Sequence, residues 1–214
     1  MKLFLDPDLS RYSDAAFEAD LLLLPPQRRE KARRFRFLSD RKRCVRAYML
    51  LWEGLRREYG ISEAPVFEYE AQGKPFLPAA PEIHFNLSHT KNAVLCALDS
   101  RPVGADVEMI PSPERLEHLF SVFSDREKQS LQKSACPELQ FARLWTRKES
   151  CLKLLGTGLT GTREMREVPT SDTDELAFVT GVREADGFVW SVCQRKKPGN
   201  PIMKVGIELQ IVLC

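Results

Sequence analysis

The sequence predicts an α+β fold built as two similar halves, on three observations. Helical periodicity fills the first quarter of the chain, short alternating strand patterns follow it, and the same order of helices and then strands occurs a second time. No strand-helix-strand alternation runs through the chain, which argues against a doubly wound parallel sheet. A length of 214 residues suits one large domain or two small ones, and the division falls between residues 1–105 and 106–214. With 43% hydrophobic and 29% charged residues, the composition excludes disordered and collagen-like classes.

Taken in order, residues 2–5 read as an opening strand, and Ser13 or Asp14 caps a helix that runs to Leu24 and stops at Pro25-Pro26. A basic helix through Phe35 follows. A longer helix over 39–59 is marked by Val45, Tyr48, Met49, Leu51 and Trp52 and ended by Gly60. Strands are predicted over 67–69, 83–87, 93–98 and 103–108, separated by turns bearing Pro and Gly. The second half supplies helices over 113–120, 124–133 and 138–155, then strands over 176–179, 188–194 and 204–212.

The longest wholly aliphatic run, residues 21–24, is far too short to span a bilayer, and no secretory pattern opens the chain, so a cytoplasmic protein without membrane contact is expected. Six cysteines without any Cys-x-x-Cys pair point to reduced, packed thiols and not to structural zinc or a disulfide framework. The formal charge of +2 conceals an asymmetry: residues 28–46 hold ten Lys/Arg against Glu30 and Asp40, leaving 22 basic and 28 acidic residues elsewhere. Such a block suits a polyanion, whether nucleic acid, phosphorylated cofactor or acidic protein, and equally suits a solvated helix face.

Four constellations carry chemistry. In Gly104-Ala105-Asp106-Val107-Glu108 the strand period puts Val103, Ala105 and Val107 toward a core and both carboxylates on the opposite face. Those carboxylates either lie in water at a sheet edge or share a hard cation such as Mg2+. On a helix, Trp145, Glu149 and Lys153 stack at i, i+4 and i+8; this is a core Trp with a common ion pair, or a third carboxylate for that cation with Lys148 and Lys153 available to phosphate oxygens. Phe85-Asn86-Leu87-Ser88-His89-Thr90 ends a strand in hydroxyls and an imidazole suited to an anion, whereas His84 and His118 lack polar company. Gly73-Lys74-Pro75 permits close approach of backbone to a ligand, or makes a plain turn.

Together, Gly73-Lys74-Pro75 with Leu77, Phe85 to His89, Gly104-x-Asp106-x-Glu108 and Trp145-x-x-Lys148-Glu149-Ser150-x-x-Lys153 resemble the 4'-phosphopantetheinyl transferases of the larger, surfactin-synthetase-activating type. Glu30-Lys31-Ala32-Arg33-Arg34-Phe35 is similar to that type's basic stretch. The resemblance thins after about Thr160, and Arg28 stands where the family often has lysine. The family's homotrimeric branch is about half this length, so the resemblance implies a pseudo-dimeric monomer, with coenzyme A phosphate and adenine contacts in the first half and metal ligands in the second.

The resemblance implies transfer of the phosphopantetheine arm of coenzyme A to a serine of an apo acyl or peptidyl carrier protein, with release of adenosine 3',5'-bisphosphate. It further implies Asp106, Glu108 and Glu149 as Mg2+ ligands, Glu149 as the base for the serine hydroxyl, and Lys153 against the pyrophosphate. Lys31, Arg43, Ser88 and His89 are implied for phosphates, and Gly73, Lys74 and Pro75 for the adenine. Ser150 and the cysteines have no implied catalytic role. Two rival readings stay in view: a nucleic-acid-binding protein using the basic block, and an inactive module that binds carrier proteins.

Overall fold

The structure, a computed structural model, describes residues 1–114, 116, 120–157, 162–197 and 205–213, with nothing described of the side chains at 162 and 163. The α+β class is as expected, and the chain forms two compact units. One comprises Met1–Glu70, Pro75–Arg101 and Gly206–Cys214; the other comprises Ala71–Lys74 and Pro102–Val205.

The first unit contains β1 (Lys2–Asp6), α1 (Asp14–Leu23), α2 (Pro26–Arg34), α3 (Leu38–Tyr59), β2 (Glu68–Tyr69), β3 (Pro75–Phe76), β4 (His84–His89) and β5 (Val94–Asp99). Local signals set the helix ends. Ser13 accepts the Ala16 N–H at 3.1 Å and so caps α1, Pro26 occupies the first turn of α2, and Gly60 ends α3 at φ 69°. Helix α3 buries Cys44, Val45, Ala47, Tyr48, Leu50, Leu51 and Leu55 against the sheet. Gly54 permits that closeness, since a Cβ there would stand 2.5 Å from Leu98 Cδ1 and 2.8 Å from Phe4 Cε2. The sheet has the order β4-β5-β1-β9, in which the C-terminal strand Glu208–Ile211 pairs parallel with β1.

The second unit holds β6 (Val103–Met109), α4 (Asp125–Gln132), α5 (Pro137–Leu155), α6 (Thr162–Glu167), β7 (Leu176–Arg183) and β8 (Phe188–Arg195), and the C-terminal strand of the first unit is therefore β9. Its antiparallel sheet runs β6-β8-β7. Ser124 and Glu127 close a capping box on α4. Helix α5 starts on Pro137 and ends at Gly156, φ 72°, whose N–H reaches the Leu152 carbonyl at 2.9 Å.

Three expectations change. Pro75 belongs to a strand, since Tyr69 pairs with Pro75 and Glu68 with Phe76, so the motif Gly73-Lys74-Pro75 turns a hairpin around Gly73 at φ 86°. Helix α6 was not anticipated. Asp106 is not at a wet edge: β6 is covered on both faces as far as Val107, and Asp106 is only 5% exposed. Residue 204 and residues 115 and 117–119, within the predicted strand and helix, lie outside the described residues, as do His118 and Cys214. No disulfide forms among the described cysteines; Cys44, Cys96, Cys151 and Cys193 are buried and Cys136 is exposed.

Candidate active site

Gly104 creates the approach on which the site depends. A Cβ at this position would stand 1.9 Å from the Ser150 carbonyl oxygen and 2.4 Å from the Leu154 nitrogen, so only glycine lets β6 lie against the backbone of α5. Two residues further along the same face of β6 is Asp106, whose Oδ1 accepts a hydrogen bond from Lys153 Nζ at 2.6 Å. Glu149 stands one helical turn before Lys153. Burial pushes the Glu149 carboxyl above the usual range, the Asp106 charge pushes it further, and Lys153 partly opposes both. Glu149 Oε1 is shielded from solvent and has no hydrogen-bond partner among the described residues.

Mg2+ was expected on Asp106, Glu108 and Glu149. Among the described residues no three His, Cys, Asp or Glu side chains draw together as a metal-holding group; Glu108 is half-buried two residues beyond Asp106. The donors nevertheless fit the ion. They are hard carboxylate oxygens, one of them buried and unpartnered, and Mg2+ needs only one or two protein carboxylates when water and phosphate complete its shell.

Lys148 does not face phosphate. It is fully buried, and its ammonium lies 3.0 Å from Glu127 Oε2 and donates to the carbonyls of Met165 at 2.8 Å and Val168 at 2.9 Å. Burial lowers its pKa, and Glu127 opposes the shift. The i, i+4 pattern gave no sign of this, because the counter-charge lies 21 residues upstream. Trp145 stacks on Phe141 with centroids 6.0 Å apart, in a cluster with Phe123, Leu131 and Leu144. Ser150 donates to the Arg147 carbonyl at 2.8 Å, in keeping with a structural role.

Lys74 donates to the Leu154 carbonyl at 3.0 Å, in the last turn of α5. In the first unit, β4 ends with Ser88 buried and His89 exposed. Arg43 reaches the neighbouring turn, donating to the Lys91 carbonyl at 3.4 Å while pairing with Asp40. Lys31 lies 5.3 Å from the centroid of the Tyr69 ring and borders a cavity of about 600 Å³ that Arg28, Arg34, Phe35 and Phe67 also line.

The basic block is largely engaged within its own unit. Arg28 stacks on Phe67 and donates to the Tyr69 hydroxyl; Arg29 holds the Leu22 and Leu24 carbonyls; Arg34 pairs with Glu30. Arg41 caps the Phe35 carbonyl, Lys42 binds the Tyr12 carbonyl and Asp14, and Arg46 pairs with buried Asp6 at 2.6 Å.

Two family models match consecutive stretches. The description "4'-phosphopantetheinyl transferase superfamily" matches residues 102–203, and "4'-phosphopantetheinyl transferase, N-terminal" matches residues 11–101. A 4'-phosphopantetheinyl transferase of Bacillus subtilis is 37% identical over 137 residues, which is 62% of this chain and 60% of that protein. The 4'-phosphopantetheinyl transferase Sfp of Bacillus subtilis (strain 168) is 34% identical over 160 residues, 73% of this chain and 70% of its own length. The 4'-phosphopantetheinyl transferase HetI of Nostoc sp. is 31% identical over 185 residues, 83% and 75%.

Proposed function

The chain belongs to the 4'-phosphopantetheinyl transferase superfamily, and from that premise we propose that it transfers 4'-phosphopantetheine from coenzyme A to a serine of an apo acyl or peptidyl carrier protein. The serine oxygen forms a bond to the phosphorus that carries pantetheine. The pyrophosphate P–O bond breaks, and adenosine 3',5'-bisphosphate leaves. The observation that carries this reading is the buried, unpartnered Glu149 oxygen beside the Asp106–Lys153 pair.

Glu149 is proposed to take the serine proton, for which a carboxyl with a raised pKa is a better base than an ordinary one. Lys153 is proposed to pass from Asp106 to the pyrophosphate and to balance charge on the departing nucleotide. Asp106 and Glu149, with Glu108 adjacent, would hold Mg2+, which when bound supplies neutralisation of pyrophosphate charge. Lys31, Arg43, Ser88 and His89 are proposed for the phosphates, the 3'-phosphate above all, and Gly73, Lys74 and Pro75 for the adenine. The nucleic-acid reading is weakened because five arginines and a lysine of the basic block, Arg28, Arg29, Arg34, Arg41, Arg46 and Lys42, already have partners within the protein. We propose a cytoplasmic monomer, with no nucleic-acid or membrane partner.

Incubation with coenzyme A, Mg2+ and a panel of apo carriers, read by intact mass, tests the reading. A mass gain of one phosphopantetheine is expected, lost in Asp106→Ala. No gain on any carrier, or an undiminished gain in the variant, overturns it.

A further inference from the structure

We propose that Lys148 is a positioning residue for the transfer reaction, its ammonium locking the rotation of α5 that aims Glu149 at Asp106. The inference rests on the transferase reading and adds a residue to it.

An ammonium has three donors, and Lys148 has three acceptors: Glu127 Oε2, the Met165 carbonyl and the Val168 carbonyl, at 3.0, 2.8 and 2.9 Å. Nothing is left over for phosphate. Glu127 is equally engaged. Its Oε2 also accepts the Ser124 N–H at 2.8 Å, and its Oε1 accepts the Thr170 hydroxyl at 2.8 Å. One buried node thus joins the start of α4, the middle of α5 and the segment running from α6 through Thr170.

Directional contacts set the rotation of helix α5 alongside apolar burial: the Thr146 hydroxyl meets that of Ser191, Arg147 donates to Thr180, and the Lys148 node fixes the turn that carries Glu149. Phe141, Ala142, Leu144, Thr146, Lys148, Ser150, Cys151, Leu152 and Leu154 are all buried, so the covered surface wraps well around the helix. A directional contact favours one rotation over its neighbours, as buried polar groups do in setting the register of paired helices. Glu149 follows Lys148 directly. A turn of about 20° about the axis moves a side-chain end roughly 5 Å from that axis by about 2 Å, and displacements of about 1 Å can cost about a hundredfold in rate.

The test uses the full chain and Lys148→Met, which keeps length and removes charge. Transfer kinetics with an apo carrier, calorimetric titration of Mg2+ into the protein with coenzyme A, and thermal unfolding are measured together, with assays run well below the melting temperature. Expected are a kcat at least tenfold lower, a Mg2+ Kd at least threefold higher, and a KM for coenzyme A changed less than threefold. A lowered melting temperature with kcat and Mg2+ affinity within twofold of wild type marks a merely stabilising pair and overturns the proposal. So does a tenfold rise in KM with kcat intact, which marks a direct phosphate contact. If Lys148→Met does not fold, Glu127→Gln, which preserves volume and the oxygen facing Thr170, is read by the same criteria. If wild type itself transfers nothing to any carrier, it is the transferase reading that has failed.

Discussion

Glu149 is held in a setting that suits catalysis and costs stability. Its carboxyl is pushed above the ordinary range by burial first and by Asp106 second, so the folded state holds the proton more tightly than the unfolded chain does. Stability therefore falls as pH rises from the ordinary carboxylate value through the raised one, and the loss is complete above it. Glu149→Gln is expected to abolish transfer and, without Mg2+, to raise the melting temperature near pH 7.5. The gain should vanish below about pH 4, where the carboxyl is protonated in both states. Unfolding curves at the two pH values check this, and a variant less stable than wild type at pH 7.5 contradicts it. Arg43 carries a separate expectation. Anchored by Asp40 and the Lys91 carbonyl beside the end of β4, it is proposed to meet the 3'-phosphate. Arg43→Glu should then raise the KM for coenzyme A more than that for 3'-dephospho-coenzyme A; equal rises would remove the contact.

The element that matters most is the contact of β6 with α5, and its tightest point is Gly104. Replacing it by alanine drives a methyl into main-chain atoms of α5 at 1.9 and 2.4 Å, and backbone cannot swing aside as a side chain can. Overpacking of this kind costs about 1 to 3 kcal/mol or more. Gly104→Ala is expected to lower the denaturation midpoint and to depress transfer even where the protein is fully folded, since Asp106 and Lys153 are carried apart with their backbones; full activity in the folded variant would show that the spacing is not critical. The same contact explains what the sequence disclosed. Strand period put Asp106 and Glu108 on one face and helix period put Glu149 one turn before Lys153, whereas the meeting of that strand with that helix was carried by the family resemblance alone; Ser13, Pro25-Pro26 and Gly60 mark helix ends locally. Glu127 as the partner of Lys148 was not legible, nor was the pairing of β9 with β1, because each depends on segments distant in sequence. The sequence left the role of the basic block open for a related reason: charge can be counted along a chain, but Asp6 neutralising Arg46 across 40 residues is visible only after folding.

At the scale of the whole molecule, the chain leaves its first unit after Arg101 and supplies that unit with a strand again from Gly206 onward. Strand β9 gives β1 its second neighbour, in the register Lys2 to Glu208 through Leu5 to Ile211. The pairing is reinforced by Lys2 with Glu208 at 2.5 Å, by Arg57 donating to Gln210 at 3.2 Å and by the Val212 N–H reaching the Leu5 carbonyl at 2.9 Å. Leu3, Phe4 and Leu5 are fully buried. Without β9, β1 becomes an open edge with apolar side chains and unpaired backbone groups, the arrangement that invites intermolecular pairing. Deleting residues 206–214 removes neither Asp106, Glu149, Lys153 nor any proposed phosphate contact. The truncated chain is therefore expected to melt several degrees lower and to aggregate at concentrations where the full chain does not, while its soluble fraction keeps a kcat within about threefold of wild type. Light scattering and transfer kinetics on the same preparation decide it: a truncated protein that is stable and monodisperse would show that β9 is dispensable to the sheet, and a stable one with no transfer would place part of the catalytic apparatus in the tail.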